Sequence, residues 1–488
     1  MDDPITLAHS LFKKECYSES LSVCKIILSK EPNHSEASYI ASRISFKMEN
    51  WKAATIFAEI CLSTDPNHIK CRAISANCKT ILGQTDEAIH DYILILKAVP
   101  NAPTMYGRLG DLLVKQNRLE DALSQFKNAH SIWPLDTKWH VKLSNAYKLM
   151  GNYDFAFSWL NKALAIKPDL PELIWNRSIL KLLTGDLSGG FRDYESRWRA
   201  TKFFLPDLKL SQWDGTPLKG KSIVLLAEQG WGDQIQFSRY ADILDDCGAK
   251  VIFACPPNGQ SLFRSLKGAS QVVELKRHLP LPKADCYAPL LSLPHLTGIE
   301  AGTIPNNTPY LEACPKLTVQ WADKMANGGK LKVGIAWSDQ IGSEPDANFR
   351  NIPLSEFASI LELKYARFFA LPLSTVDDLV SAGIDPKAME TFEGRDSVAP
   401  FEDTMAVIQN LDLVISQDCA FCHLAGAMGR PVWTLINKSP DWRWMLERND
   451  VPWYPSMRLI RQKQLGDWTD VISWVKDQLT QMLTPFKD

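Results

Sequence analysis

No apolar run in this chain approaches the ~20 residues needed to cross a bilayer, which argues against a membrane-spanning helix. The N-terminus, Met1-Asp2-Asp3-Pro4, is acidic and lacks an apolar signal core, so export is not expected. There is no G-x-x-x-x-G-K-[ST], hence no P-loop, and no G-x-S-x-G hydrolase elbow. There is no H-E-x-x-H and no Cys/His cluster of zinc spacing, and no metal is expected on that ground. Asp-x-Asp is absent too, so a metal-diphosphate clamp has no candidate. Neither sign of charge dominates. Lys plus Arg total 54 and Asp plus Glu 56, a net charge of −2, which argues against a general nucleic-acid or membrane-surface role. The eleven cysteines, an odd number, read as reduced, buried thiols in a cytoplasm.

What the chain does have is length and period. Its 488 residues exceed one core, and two or three domains are expected. Proline falls at 32, 66, 100, 134 and 168, a constant interval of 34 residues. Small side chains keep the same step at Ala8, Ser42, Ala76, Gly110, Ser144 and Ser178, and again at Ser20, Ala54, Ala88, Ala122, Ala156 and Gly190. Two such points per unit let antiparallel helices approach closely, and the proline prevents the second helix from continuing. The pattern resembles the tetratricopeptide repeat over roughly residues 1–200, with Tyr92, Phe126 and Tyr194 at that family's aromatic position. The resemblance implies a solenoid suited to an extended partner.

After Trp198 the period decays, and 200–220 reads as a linker. Strands then alternate with helices, indicating a parallel sheet. Strands are expected at Lys221–Leu226, Lys250–Ala254 and Gln271–Leu275, with a helix over Gln234–Cys247. The texture restarts with strands at Lys332–Trp337, Phe368–Leu371, Leu411–Ser416 and Pro431–Ile436. Helices are expected over Leu354–Leu363, Phe401–Asn410, Ala420–Met428 and Trp468–Leu483. Lys316–Gly329 bridges the two halves, and ligands of such sheets bind at the carboxyl ends of the strands.

Four stretches could carry chemistry. Gly230-Trp231-Gly232-Asp233 follows a strand and opens a helix, and its glycines allow a tight turn and close approach of a ligand. Asp233 is a general base or, equally, a helix N-cap. In Ser416–Pro431 a strand ends, and the helix beginning at Cys419–Ala420 offers free N–H groups to a phosphate. His423, one turn in, reaches a phosphate or ribose, or is a packed core histidine. Arg350 precedes Asn351-Ile352-Pro353 and either neutralises a leaving phosphate or is an exposed loop arginine. Arg443, within Pro440-Asp441-Trp442-Arg443-Trp444, lines the cleft or packs the seam between halves. Sixteen tryptophans, clustering late in the chain, suit either use.

At these motifs, AEQGWGDQIQFSRY (227–240), VGIAW…RNIPL and DLVISQDCAFCHLAGAMGRPVW through PDWRW, residues 205–488 resemble the heptosyltransferase-like, family 9-like glycosyltransferases of GT-B fold. The likeness extends to bacterial proteins that join tetratricopeptide repeats to such a domain, including flagellin glycosyltransferases that use activated nonulosonic acids. The resemblance implies an all-α solenoid at 1–204, an acceptor-side Rossmann-like lobe at 205–325 and a nucleotide-sugar lobe at 326–488. It places the acidic base on Asp233, with Gly230, Gly232 and Gln236 in the donor/acceptor turn. Nucleotide-sugar contacts fall on Arg350, Ser416, Asp418, Cys419, Ala420 and His423. Where that family has Thr and Ser after the Asp, this chain has Cys419 and Ala420, so hydroxyl contacts to a phosphate are lost. No metal or cofactor is implied beyond the activated sugar.

The function so implied is sugar transfer to Ser or Thr of a protein acceptor, flagellin among the candidates, held by the repeats in a cytoplasm. Two alternatives stand beside it: a non-catalytic scaffold with a degenerate GT-B module, and a transferase acting on a glycan or lipid-linked acceptor.

Overall fold

In the computed structural model the described residues are 3–201, 208–276, 281–326, 330–337, 347–372, 376–391 and 400–483. They form two compact units, Met1–Lys167 and Pro168–Asp488.

The first unit is ten helices in five antiparallel pairs: Pro4–Lys13 with Tyr17–Lys30, Ser35–Lys47 with Trp51–Thr64, Ile69–Ile81 with Thr85–Ala98, Pro103–Lys115 with Leu119–Ile132, and Thr137–Leu149 with Tyr153–Ile166. The second helix of each of these pairs ends two residues before the repeat proline, which occupies the turn. The periodic small residues do what their size allows. All of them are buried, and the Ser20, Ser42 and Ser144 hydroxyls donate across the pair to the carbonyls of Ala8, Ala54 and Ala156 at 2.7, 2.9 and 2.9 Å. Tyr92 and Phe126 fill the space beside them.

The second unit begins with helices Pro171–Leu183, Leu187–Tyr194 and Arg197–Ala200. The sixth repeat thus folds with the α/β part. Arg197, wholly buried, donates to Glu228 (3.0 and 2.8 Å), Glu195 (2.8 Å) and the Ser292 hydroxyl (2.9 Å). Phe191 meets Trp442 edge-on with ring centroids 5.4 Å apart.

Two five-stranded parallel sheets follow. The first has the order β1-β5-β2-β3-β4, from β1 (Ser211–Gln212), β2 (Ser222–Leu226), β3 (Lys250–Cys255), β4 (Ala269–Glu274) and β5 (Cys286–Pro289). The second has the order β10-β9-β8-β6-β7, from β6 (Leu331–Ala336), β7 (Ala366–Ala370), β8 (Leu413–Gln417), β9 (Val432–Ile436) and β10 (Met457–Arg461). Their central strands are buried over nearly their whole length, as in parallel sheets covered on both faces. Helix Thr469–Met482 turns Val471, Ile472, Val475 and Leu479 into the second core, the spacing of one helical face.

Some expectations need correction. The segment read as a linker supplies β1, whose register pairs Ser211 with Cys286; its residues 202–207 lie outside the described set. The single helix expected over 234–247 is two, Trp231–Ser238 and Tyr240–Asp246. At the break the Arg239 guanidinium donates to the Gln236 carbonyl (2.7 Å), the acceptor a continuous helix would have used for the Tyr240 N–H. The span 354–363 holds a short 3₁₀ turn, Leu354–Phe357, and one α-turn, Ala358–Leu361. The bridging segment contains helix Pro315–Lys324. Strands β5 and β10 were not expected.

Candidate functional site

Strand β2 ends at Leu226, and the chain turns through Glu228 and Gln229 into helix Trp231–Ser238. The left-handed residue of this turn is Gln229 (φ 60°), not a glycine. A side chain rarely rests there, and hydrogen bonds hold it. The Tyr194 hydroxyl donates to its Oε1 (3.2 Å), and Gln234 donates to its carbonyl (3.1 Å). Gly230 is the N-cap, and Asp233 is the third helical residue. Asp233 Oδ2 accepts the Gly230 N–H at 3.0 Å. Gly232 has a different reason to be glycine. A Cβ there would lie 2.9 Å from Cδ2 of His423, on the helix of the other half.

That second helix, Ala420–Ala427, follows β8 through Asp418 and the N-cap Cys419. Its N-cap Cys419 makes no side-chain capping bond, and in the first turn the Cys422 N–H bonds back to the Cys419 carbonyl at 3.2 Å. Ser416 is fully buried; its hydroxyl donates to the Gln417 carbonyl (2.7 Å) and lies 3.3 Å from Cys419 Sγ, so it is spent inside the loop. Cys419 and Cys422 form a C-x-x-C pair followed by His423, the spelling of a c-type haem attachment site. Packing rules that reading out. Both thiols are buried, and the His423 ring lies 5.2 Å from Trp444 in a stacked arrangement and bonds through Nδ1 to the Tyr454 hydroxyl (3.0 Å). Burial, followed by the positive charge of Arg443, holds His423 well below its ordinary pKa, and the ring is neutral. Its geometry is that of a packed, hydrogen-bonded histidine.

Between the two helices runs a line of alternating charges. Arg443 pairs with Asp233 Oδ1, donates from Nε to Gln236 Oε1 (2.7 Å) and from Nη1 to Asp441 Oδ1 (2.8 Å), and lies 4.2 Å from the Trp442 ring centroid. Arg350, ending the short helix Ala347–Arg350, is 3.9 Å from Asp418 Oδ2. The next residues are pinned by Gln417, which accepts the Ile352 N–H (3.3 Å) and donates to Asn351 Oδ1 (3.2 Å). Residues 338–346, between β6 and this helix, lie outside the described residues. Burial lifts the Asp418 carboxyl to about 6, against the attraction of Arg350. Asp441 goes the other way. Desolvation opposes its charge, but the charge and hydrogen bonds of Arg443 outweigh it and hold it below its ordinary value.

The fold therefore brings Gly230, Gly232, Asp233 and Gln236 of one half to Arg350, Asp418, Cys419, Ala420 and His423 of the other. Arg443 reaches from the second half to Asp233 and Gln236 of the first. The sequence left its role open, because its partner Asp233 stands 210 positions away. The fold also assembles sets of metal-ligand type that the spacing did not show. Asp418, Cys422 and His423 form one, within this site; Cys61, His68 and Cys71 form another in the first unit.

Residues 399–468 match glycosyltransferase family 9 (heptosyltransferase), and residues 140–170 match the tetratricopeptide repeat. Protein FlbA of Caulobacter vibrioides is 24% identical over 502 residues, which span 95% of this chain and 81% of that protein. BBSome complex member BBS4 of Mus musculus is 25% identical over 120 residues, 25% of this chain and 23% of its own length. Among solved structures, YrrB, a TPR protein with an unusual peptide-binding site, shares 21% identity over 34% of this chain and 86% of its own, with a TM-score of 0.33. MamA from Desulfovibrio magneticus RS-1 shares 18% over 34% and 97%, with a TM-score of 0.32. Among the described residues no helix is long and apolar enough to cross a membrane.

Proposed function

From tetratricopeptide repeats joined to a glycosyltransferase family 9 domain, we infer an enzyme that moves a sugar from a nucleotide-activated donor to a Ser or Thr hydroxyl of a protein held by the repeats. Flagellin is the acceptor and an activated nonulosonic acid the donor that the sequence resemblance favours. The observation that carries the reading is the convergence of the Asp233 carboxylate, two arginines and an uncapped helix start where the two halves meet.

In the step we propose, the acceptor oxygen attacks the anomeric carbon as the bond to the donor phosphate breaks. Asp233 takes the hydroxyl proton. The electron pair leaves with the nucleotide phosphate, whose charge is met by Arg350, Arg443 and the N–H groups at Ala420. His423, neutral and packed, contributes by setting the separation of the two helices at Gly232. Charge compensation by arginine and backbone makes this a metal-independent route needing no cofactor beyond the activated sugar. In the first unit a cavity of about 370 Å³, lined by Ile89, Ile93, Tyr106, Leu109 and Gln125, supports docking of a polypeptide.

Asp233→Asn keeps an acceptor for the Gly230 N–H and removes the base. The variant should bind nucleotide sugar, measured by thermal shift, while transfer to the acceptor protein falls by about 10²-fold or more. Full transfer by a folded, donor-binding variant would remove Asp233 from the chemistry. The scaffold reading has its own support: Ser416 is spent internally, and Cys419 offers no hydroxyl. Absence of nucleotide release from any activated sugar, with or without acceptor, would favour it.

A further inference from the structure

The first unit contains a cluster that sugar transfer does not use. Cys61 near the end of helix Trp51–Thr64, His68 at the cap of the next helix and Cys71 within its first turn place two sulfurs and a ring nitrogen within 4.8 Å of one another. Both cysteines are fully buried, and His68 is half-buried. Around them the Ser35 hydroxyl lies 3.4 Å from Cys61 Sγ, the Tyr39 ring packs on His68 with centroids 4.5 Å apart, and Cys71 Sγ faces the Ala58 carbonyl at 3.6 Å.

The repeat itself supplies a control. One unit earlier, His34 caps its helix in the same way, its Nδ1 accepting the Ala37 N–H at 3.2 Å. There the positions matching Cys61 and Cys71 are Ile27 and Ala37, and one unit later they are Ile95 and Met105. Capping therefore explains a histidine but not the sulfurs, and only this junction among the three combines all three donors.

We propose that Cys61, His68 and Cys71 form a binding site for zinc or a similarly soft cation, clasping the second repeat to the third. Two thiolates and an imidazole are the donor set such ions select, and three protein ligands leave a fourth position for water or for the nearby Asp65 carboxylate. Binding releases the thiol protons. It also carries a local cost. His68 Nδ1 accepts the Cys71 N–H at 3.1 Å. Ligation through Nδ1 takes that lone pair, and ligation through Nε2 requires the tautomer that cannot accept there. Either way the helix start gives up its cap.

The test uses the full chain, kept reduced and stripped of metal, titrated with Co(II). One equivalent should produce a sulfur-to-cobalt charge-transfer band with the visible bands of tetrahedral cobalt, and Zn(II) should displace it. The double variant Cys61→Ser/Cys71→Ser should lose the band. His68→Asn retains a capping acceptor but has no imidazole, so it should keep its fold by circular dichroism while affinity drops about tenfold or more. At the same Zn(II) concentration the melting temperature of the wild type should rise more than that of His68→Asn. The absence of a thiolate band in the wild type, or an unchanged band in the double serine variant, overturns the proposal. So does unchanged Co(II) affinity in His68→Asn, which decides the matter even where the serine variants do not fold.

Discussion

Gly232 and His423 touch across the two halves of the α/β unit, so closely that a single added carbon would stand 2.9 Å from the imidazole. The ring cannot easily give way, because Tyr454 holds one edge and Trp444 covers a face. Gly232→Ala should therefore destabilise this unit by about 1–3 kcal/mol, the usual cost of overpacking. Thermal unfolding followed by tryptophan fluorescence reads it. An unchanged melting temperature would mean that the halves separate freely at this point.

Arg443 should be the most sensitive side chain of the site. Removing it takes the guanidinium away from Asp233, Asp441 and Gln236 together. Arg443→Met should cost about 3–5 kcal/mol in urea unfolding, as when one partner of a buried ion pair is deleted. Arg443→Lys keeps the charge but loses the fork that serves three acceptors, and should fall between wild type and Met.

Two aspartates of the site, Asp418 beside Arg350 and Asp441 beside Arg443, give opposite pH signatures. Asp418 has a folded value raised from the ordinary 3.8 to about 6. Between those values the folded state holds the proton the unfolded state has released, so this group's contribution falls as pH rises from about 4 to 6. Asp441, held low, contributes stability above its unfolded value and loses it on acidification. Asp418→Asn should abolish the first trend and leave the second. Unfolding free energies in urea, compared at pH 4.5 and 6.5, separate wild type from variant. A difference between wild type and variant that is the same at both pH values refutes the assignment to Asp418.

In the repeats, Gly110 faces the Phe126 ring with no space for a methyl group, whereas Ser144 donates one hydrogen bond. Gly110→Ala should cost more than Ser144→Ala, at about 1–3 kcal/mol against about 1 kcal/mol. Circular dichroism melts of both variants check the order.

The sequence shows most clearly whatever repeats or alternates. A 34-residue step fixes the helical pairs because Ala54, Ala88, Ala122 and their equivalents must all be small for the same reason. Strand–helix alternation reveals both sheets through continuous apolar runs such as Ile223–Leu226. Strand β1 is only two residues long, β5 (Cys-Tyr-Ala-Pro) carries a proline, and β10 (Met-Arg-Leu-Ile-Arg) has charges at an edge, so local pattern does not mark them. The site shows the same division. The turn 230–233 and the helix start at 419–420 announce themselves locally. The pairing of Asp233 with Arg443 and the packing of His423 on Gly232 are products of tertiary approach, which no short motif encodes.

Glu228, half-buried and paired with the buried Arg197, determines where the protein can be divided. An excision at residue 200, where the periodicity fades, would discard that arginine together with Phe191 and Tyr194 and leave the Glu228 carboxylate with the Leu291 N–H but without its guanidinium. A cut just before Pro168 retains all of them. For anyone preparing the α/β half alone, the proper first residue lies a full helical hairpin upstream of the point where the repeat stops looking like a repeat.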